Sequence, residues 1–202
     1  HAYENASIRM DGFVGMLRLI GGNNLLRQLV RETAVDVLTG NMKTLSEIVP
    51  VPHGIEGPFA TAETRQQLEE VTDAVATANG SEGRRIALAV QLVERAFSSQ
   101  GAFKFISYWV ALEVAADTHS FGKMITLLAE AYGQSRAYIQ NDLGFQYLWE
   151  TRTGVIHSGE YYEVPYDVER YTQCLFLDVV RAKLGLNCKG YMAELVQSGF
   201  DV

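Results

Sequence analysis

Residues 165–185 read PYDVERYTQCLFLDVVRAKLG, and this stretch carries every mark of one complete helix. Pro165 suits the first helical position, where an N–H would have no intrahelical partner. Asp167 and Glu169 complement the positive end of the helix dipole, Arg181 and Lys183 the negative end, and Gly185 stops the run. Val168, Tyr171, Leu175, Val179 and Val180 recur at three- and four-residue spacing, so one face is apolar. Working outward, the same period predicts helices near 84–98, 102–117, 121–132 and 136–151. No alternation of apolar and polar residues is long enough for a sheet strand, and no internal repeat appears. The expected fold is all-α, a helical bundle with an N-terminal helical extension.

The extension is read from two further segments. Asn23 and Asn24 can cap a helix whose apolar positions are Leu25, Leu26, Leu29, Val30, Thr33 and Val37, with Gly40 as its stop. Val49 to Phe59 holds Pro50, Pro52 and Pro58 with Gly54 and Gly57, which predicts an irregular connection. A helix resumes near Thr61 with Leu68, Val71, Val75 and Ala78 on one face, and Gly80 to Gly83 breaks it. The division expected is an accessory helical region over 1–80, a bundle over 84–186 and a tail over 187–202. The start at His1, without Met, reads as a tag remnant or an internal boundary.

Composition narrows the function classes. With 202 residues the chain suits one ordinary domain, and area scaling buries about 70% of the extended surface, enough for a core without staples. Apolar residues at 48% and charged residues at 20% exclude a disordered or collagen-like chain. No apolar run reaches the length of a membrane span, so no membrane association is expected. Cys174 and Cys188 are too few for a disulfide framework, which fits a reducing, cytoplasmic setting. Residues 1–83 carry a net charge of -5, residues 84–190 sum to zero and the last twelve add -2. No basic cluster offers a broad phosphate-binding face.

Two stretches carry candidate chemistry. On the helix near 102–117, Ile106, Trp109 and Val110 form an inward stripe, and the same spacing places Glu113 and Asp117 there. A buried carboxylate costs several kcal/mol unless it meets a cation or donors, so Glu113 is expected to reach Arg152, His157 or the Tyr147 hydroxyl. The segment Arg152 to Gly159 closes the next-but-one helix. Arg152 offers a permanent cation with a planar fork of donors, His157 a group that titrates near neutral pH, and Gly154, Ser158 and Gly159 a low-bulk backbone. His119 lies at a helix junction and His53 in the proline-rich connection; with His1 and His157 they form no metal-ligand spacing, and no metal or other cofactor is expected. Tyr147, Tyr161, Tyr162, Tyr166 and Tyr171 crowd the region; they either stack bases or pack between helices.

The spacing Arg-x4-His at Arg152 and His157, after the run Phe145 to Trp149 and before Ser158-Gly159-Glu160, resembles the signature of HEPN domains. Upstream, Phe105-Ile-Ser-Tyr-Trp-Val-Ala-Leu-Glu113 resembles the second helix of the Apea-like branch of that family. With the final helix, the resemblance covers residues 84 to 186. Many members place Asn or Asp directly after the Arg, where this chain has Thr153, which still donates and accepts.

The resemblance implies a HEPN-type bundle and a metal-independent endoribonuclease acting on single-stranded RNA. Cleavage through the 2′-hydroxyl needs a base, an acid and positive charge at the phosphate. Two His157 groups facing each other in a homodimer would fill both proton roles, with two Arg152 groups holding the phosphate. Arg152, His157 and Glu113 are then the catalytic candidates, and Thr153, Ser158, Tyr147 and Tyr161 the substrate-binding ones. Two alternatives stand beside this reading. One is a catalytically silent HEPN module that binds a protein partner or nucleotide and regulates a toxin or defence system. The other is a structural helical dimerisation domain.

Overall fold

The computed structural model describes residues 15–16, 31–35, 42–47, 62–78, 80–97, 99–158, 164–188 and 190–192. Among these, two strands, β1 (Arg31–Val35) and β2 (Met42–Glu47), precede six helices: α1 (Ala62–Thr77), α2 (Gly80–Phe97), α3 (Gly101–Ala116), α4 (Phe121–Tyr132), α5 (Phe145–Ser158) and α6 (Tyr166–Lys183). A π-helical turn at Tyr138–Asp142 separates α4 from α5. No helix among the described residues is long and apolar enough to cross a membrane.

The stretch that decides the fold is more deeply enclosed than one apolar stripe requires. Every residue of α6 from Tyr171 to Arg181 is buried. Helix α3 lies along it and also against α2, and the interior is filled by Phe105, Tyr108, Trp109 and Leu112 of α3, Ile86 and Val93 of α2, and Phe176 and Val180 of α6. Fully burying each large apolar side chain contributes about 1.5–3 kcal/mol. Pro165 stands one residue before the helix, with extended ψ 143°, so it caps α6 rather than opening it.

Enclosure on all sides leaves the polar groups of α6 without water, and neighbouring elements supply their partners. Arg181, 3% exposed, donates from Nη2 to Glu70 of α1 at 2.9 Å and from Nε to the Asn187 carbonyl at 2.7 Å. Asp178, fully buried, accepts from the Tyr132 hydroxyl of α4 and from the Met192 N–H at 3.2 Å, both on Oδ2. Glu169 pairs with Lys104 of α3 at 2.7 Å. The Tyr171 hydroxyl donates to the Leu143 carbonyl just before α5.

Burial pushes the Asp178 carboxyl above the ordinary aspartate range, and its hydrogen bonds from Tyr132 and Met192 offset this only in part. Burial and the neighbouring Asp178 also push up the Tyr132 hydroxyl and raise the Cys188 thiol to about 12, so both stay protonated at neutral pH.

The all-α expectation holds for the helical body, and the N-terminal part departs from it. The helix expected over 25–37 is replaced, within the described residues, by β1, which pairs antiparallel with β2 from Arg31 opposite Glu47 to Val35 opposite Met42. An irregularity between Glu32 and Thr33 shifts the register. Such a shift scrambles the two-residue alternation that would betray a strand in sequence. The expected break at 80–83 falls at Gly80, whose φ is +75°, and Ser81 to Gly83 belong to α2. There a Cβ on Gly83 would lie 2.4 Å from the Ala78 carbonyl oxygen. The helix expected over 136–151 is interrupted at Gly144, φ +66°, so the last regular helix before α6 begins at Phe145 and runs on to Ser158.

Two outcomes are expected in urea unfolding. Glu70→Ala should cost about 3–5 kcal/mol by leaving the buried Arg181 charge without its carboxylate, whereas Glu70→Ala with Arg181→Met should cost clearly less. For Asp178 the folded state holds its proton more tightly than the unfolded chain. Stability should therefore fall as pH rises from the ordinary aspartate range through the raised value, then level off. Asp178→Asn should remove that slope.

Candidate active site

Four rings set the framework. Trp109 of α3 stacks on Phe145 of α5 at 6.2 Å, Phe145 stacks on Phe121 of α4 at 5.7 Å, Phe121 meets Trp149 at 5.2 Å, and Trp149 meets Trp109 edge-on at 5.6 Å. The rings close a square that joins three helices, and each such pair is worth about 0.5–1.5 kcal/mol beyond its buried area. The spacing Phe145 to Trp149 places both α5 members on one face.

Arg152 and Glu113 sit over this square. The Glu113 carboxylate accepts, on the single oxygen Oε1, the indole N–H of Trp109 at 2.7 Å and Nη2 of Arg152 at 3.3 Å. The guanidinium also lies over the Trp149 ring, 5.4 Å from its centroid, a cation–π contact. The side chains of Arg152 and Glu113 are 21% and 17% exposed, so the pair is half-buried and still open to solvent. Each tryptophan thus holds one member: Trp109 reaches Glu113 four residues on, and Trp149 lies beneath Arg152 three residues on. Among the expected partners of Glu113, the structure brings up Arg152.

The motif lies within the last turns of α5. Gly154 is exposed with open space where a Cβ would stand, so it does not form the tight backbone expected of it. His157 is exposed. Five helical residues separate it from Arg152, a rotation of about 140° and a rise of about 7.5 Å. Tyr147, 43% exposed, stands five residues before Arg152 and is turned away by the same angle. Thr153 donates its hydroxyl to the Trp149 carbonyl at 2.9 Å, bonding back into its own helix. Ser158 ends α5, with its side chain outside the described residues, as are Tyr161, Tyr162, Gly159 and His53. Of the tyrosines read as stacking or packing, Tyr171 is buried in the interior.

Sequence reasoning placed Glu113 on the inward edge and missed the aromatic square that fixes it. The signal was present as Trp109 four residues before Glu113 and Trp149 three before Arg152; what the spacing does not contain is Phe121, which closes the square from a third helix. Among the described residues, no three His, Cys, Asp or Glu side chains gather as a metal site. A shallow cavity of 310 Å³, lined by Asp117, Thr118, Lys123, Thr126, Glu130 and Lys183 among others, lies at the end of α3.

No protein-family model, no curated protein and no solved structure matches the chain. The chemistry therefore rests on this chain's own residues.

Glu113→Ala should strip the acceptor from a buried indole N–H and a half-buried guanidinium, at a cost of about 1–3 kcal/mol. Glu113→Gln keeps an acceptor for Trp109 and should cost less. Thermal melts of the two variants, compared with wild type, check the order.

Proposed function

We propose that the chain is an endoribonuclease of the HEPN type for single-stranded RNA, with Arg152 holding the scissile phosphate, His157 moving a proton and Glu113 keeping Arg152 in place. The observation that carries this reading is the Glu113–Arg152–Trp149 arrangement. It fixes a half-exposed guanidinium on the same helix that presents His157 to solvent. Among the described residues, the hydrogen bonds of Arg152 use Nη2 alone. Its other terminal nitrogen is the one to meet a phosphate oxygen. The reaction needs imidazole and guanidinium rather than a metal, and it needs a second proton carrier. A homodimer meeting at this face would supply that carrier as the second His157.

A second reading has its own support. Glu113 opposes the Arg152 charge, the full chain carries a net -7, and Phe103 and Val110 of α3 are 64% and 38% exposed. These features suit a catalytically silent module that binds a protein partner.

With excess EDTA, the purified chain should cut single-stranded RNA and leave cyclic-phosphate ends. His157→Ala should lose roughly 10² to 10⁴ in rate, and Arg152→Ala a comparable factor. Arg152→Lys should rescue poorly, because an ammonium does not reproduce the planar grip. Gel analysis of end-labelled RNA reads all three. A wild type that cuts nothing across a broad RNA panel would leave the binding module in its place.

A further inference from the structure

The cavity at the end of α3 has three walls. One is a single face of α4, whose positions Lys123, Thr126, Leu127 and Glu130 recur at three- and four-residue spacing. The others are the end of α3 with Thr118 beyond it, and Lys183 in the last turn of α6. The cations here go unanswered. Among the described residues Arg85, Lys104, Arg152 and Arg181 each meet a carboxylate at 2.7–3.3 Å, whereas no ion pair joins Lys123 or Lys183 to one. That is so in a chain whose 24 Asp and Glu outnumber its 17 Lys and Arg. The Asp117 carboxylate, also on the cavity wall, is taken by Arg85 at 2.9 Å. Lys183 is half-buried, and Lys123 stands in the first turn of α4, the end at which the helix dipole opposes a cation. Behind the α4 wall Arg136 adds a third positive charge, donating from Nη1 to the Thr126 hydroxyl oxygen at 3.0 Å and from Nη2 to the Gly122 carbonyl at 3.3 Å. The Thr118 hydroxyl accepts the Ser120 N–H at 3.1 Å and, among the described residues, keeps its own O–H to donate.

We propose that this cavity is a binding site for a small sugar phosphate, a function separate from any chemistry at Arg152. The phosphate lies between Lys123 and Lys183, whose two ammonium charges match the two negative charges of a phosphate monoester, and the Thr118 hydroxyl donates to it. Glu130 follows Lys123 by seven helical residues, about 10.5 Å of rise, so the α4 face carries a cation at one end and a carboxylate at the other. The carboxylate accepts hydroxyl protons of the sugar, and Leu127, between the two, offers the ring an apolar contact. A volume of 310 Å³ stands at the small end of ligand sites and admits a hexose phosphate. Among the described residues no aromatic ring lines the cavity, so a nucleobase would find nothing to stack on. A hydroxylated ring has no such need; it needs acceptors, and Glu130 is one.

The test is isothermal titration of the full chain with glucose 6-phosphate, glucose, inorganic phosphate and adenosine monophosphate. Glucose 6-phosphate should bind at one site per chain, more tightly than glucose or inorganic phosphate alone. Lys123→Gln and Lys183→Gln should each weaken it about tenfold or more, the loss expected when a hydrogen bond to a charged group goes, while Lys123→Arg should keep most of the affinity. Glu130→Ala should weaken glucose 6-phosphate and leave inorganic phosphate bound no more weakly, a split that damage to the fold would not give. Thermal melts should show the variants folded, since Lys123 and Glu130 are exposed; if the half-buried Lys183→Gln melts early, Lys123→Gln decides. No binding of glucose 6-phosphate at millimolar concentration, or binding that Lys123→Gln retains in full, overturns the site. Adenosine monophosphate binding more tightly than glucose 6-phosphate overturns the sugar-phosphate assignment. The readout is binding, so the presence or absence of RNA cleavage alters none of these outcomes.

Discussion

The burial of α6 is the constraint on which the rest of the structure turns. A helix closed off from water along Tyr171 to Arg181 cannot carry a carboxylate and a guanidinium unless the surrounding elements answer them. Here α1 answers Arg181 with Glu70, α4 answers Asp178 with Tyr132, α3 answers Glu169 with Lys104, and the segment after α6 contributes the Asn187 carbonyl and the Met192 N–H. Each neighbour is held by apolar packing and by at least one polar contact of fixed direction. Apolar contact sets how much is buried; the polar contacts set the register in which each element docks. One oxygen of Asp178 and one terminal nitrogen of Arg181 remain buried without a partner among the described atoms, which is why the burial that makes α6 central also pushes the Asp178 carboxyl upward.

The helical body was legible because its signals are local. Pro165, the acidic first turn, the basic last turn and Gly185 mark α6 within a window of some twenty residues, and the 121–132 period matches α4 residue for residue. What failed to show in sequence depends on contacts between distant residues. β1 and β2 stabilise each other across a gap, and the shift at Glu32 and Thr33 erases the alternation that single-chain reading looks for. Gly144 breaks the expected 136–151 helix where the Tyr171 hydroxyl, 28 residues away, holds the Leu143 carbonyl. Nothing in the sequence around Leu143 announces that partner.

The candidate site divides in the same way. Helical spacing put Glu113 at the edge of the inward face, and a buried carboxylate without a cation or donors is costly, so a contact with Arg152, His157 or Tyr147 was expected and the structure supplies Arg152. The tight backbone expected at Gly154 does not form, because Gly154 stays helical and α5 continues to Ser158. That continuation sets the chemistry: it separates Arg152 from His157 by more than a quarter turn and leaves one imidazole on a different side of the helix from the cation. Any reaction at Arg152 that moves two protons has to draw on groups beyond α5.

The chain contains two tryptophans, and both belong to the square beneath Arg152. Its tryptophan emission therefore comes from one place. Trp109 is sealed at 1% exposure with its indole N–H on a carboxylate, while Trp149 is half-buried under a cation. A group that draws the guanidinium away from Trp149 uncovers that ring directly and reaches Trp109 through the Glu113 oxygen that Trp109 and Arg152 share. The protein thus carries its own optical reporter, seated at the residues whose chemistry is in question, with no label to attach.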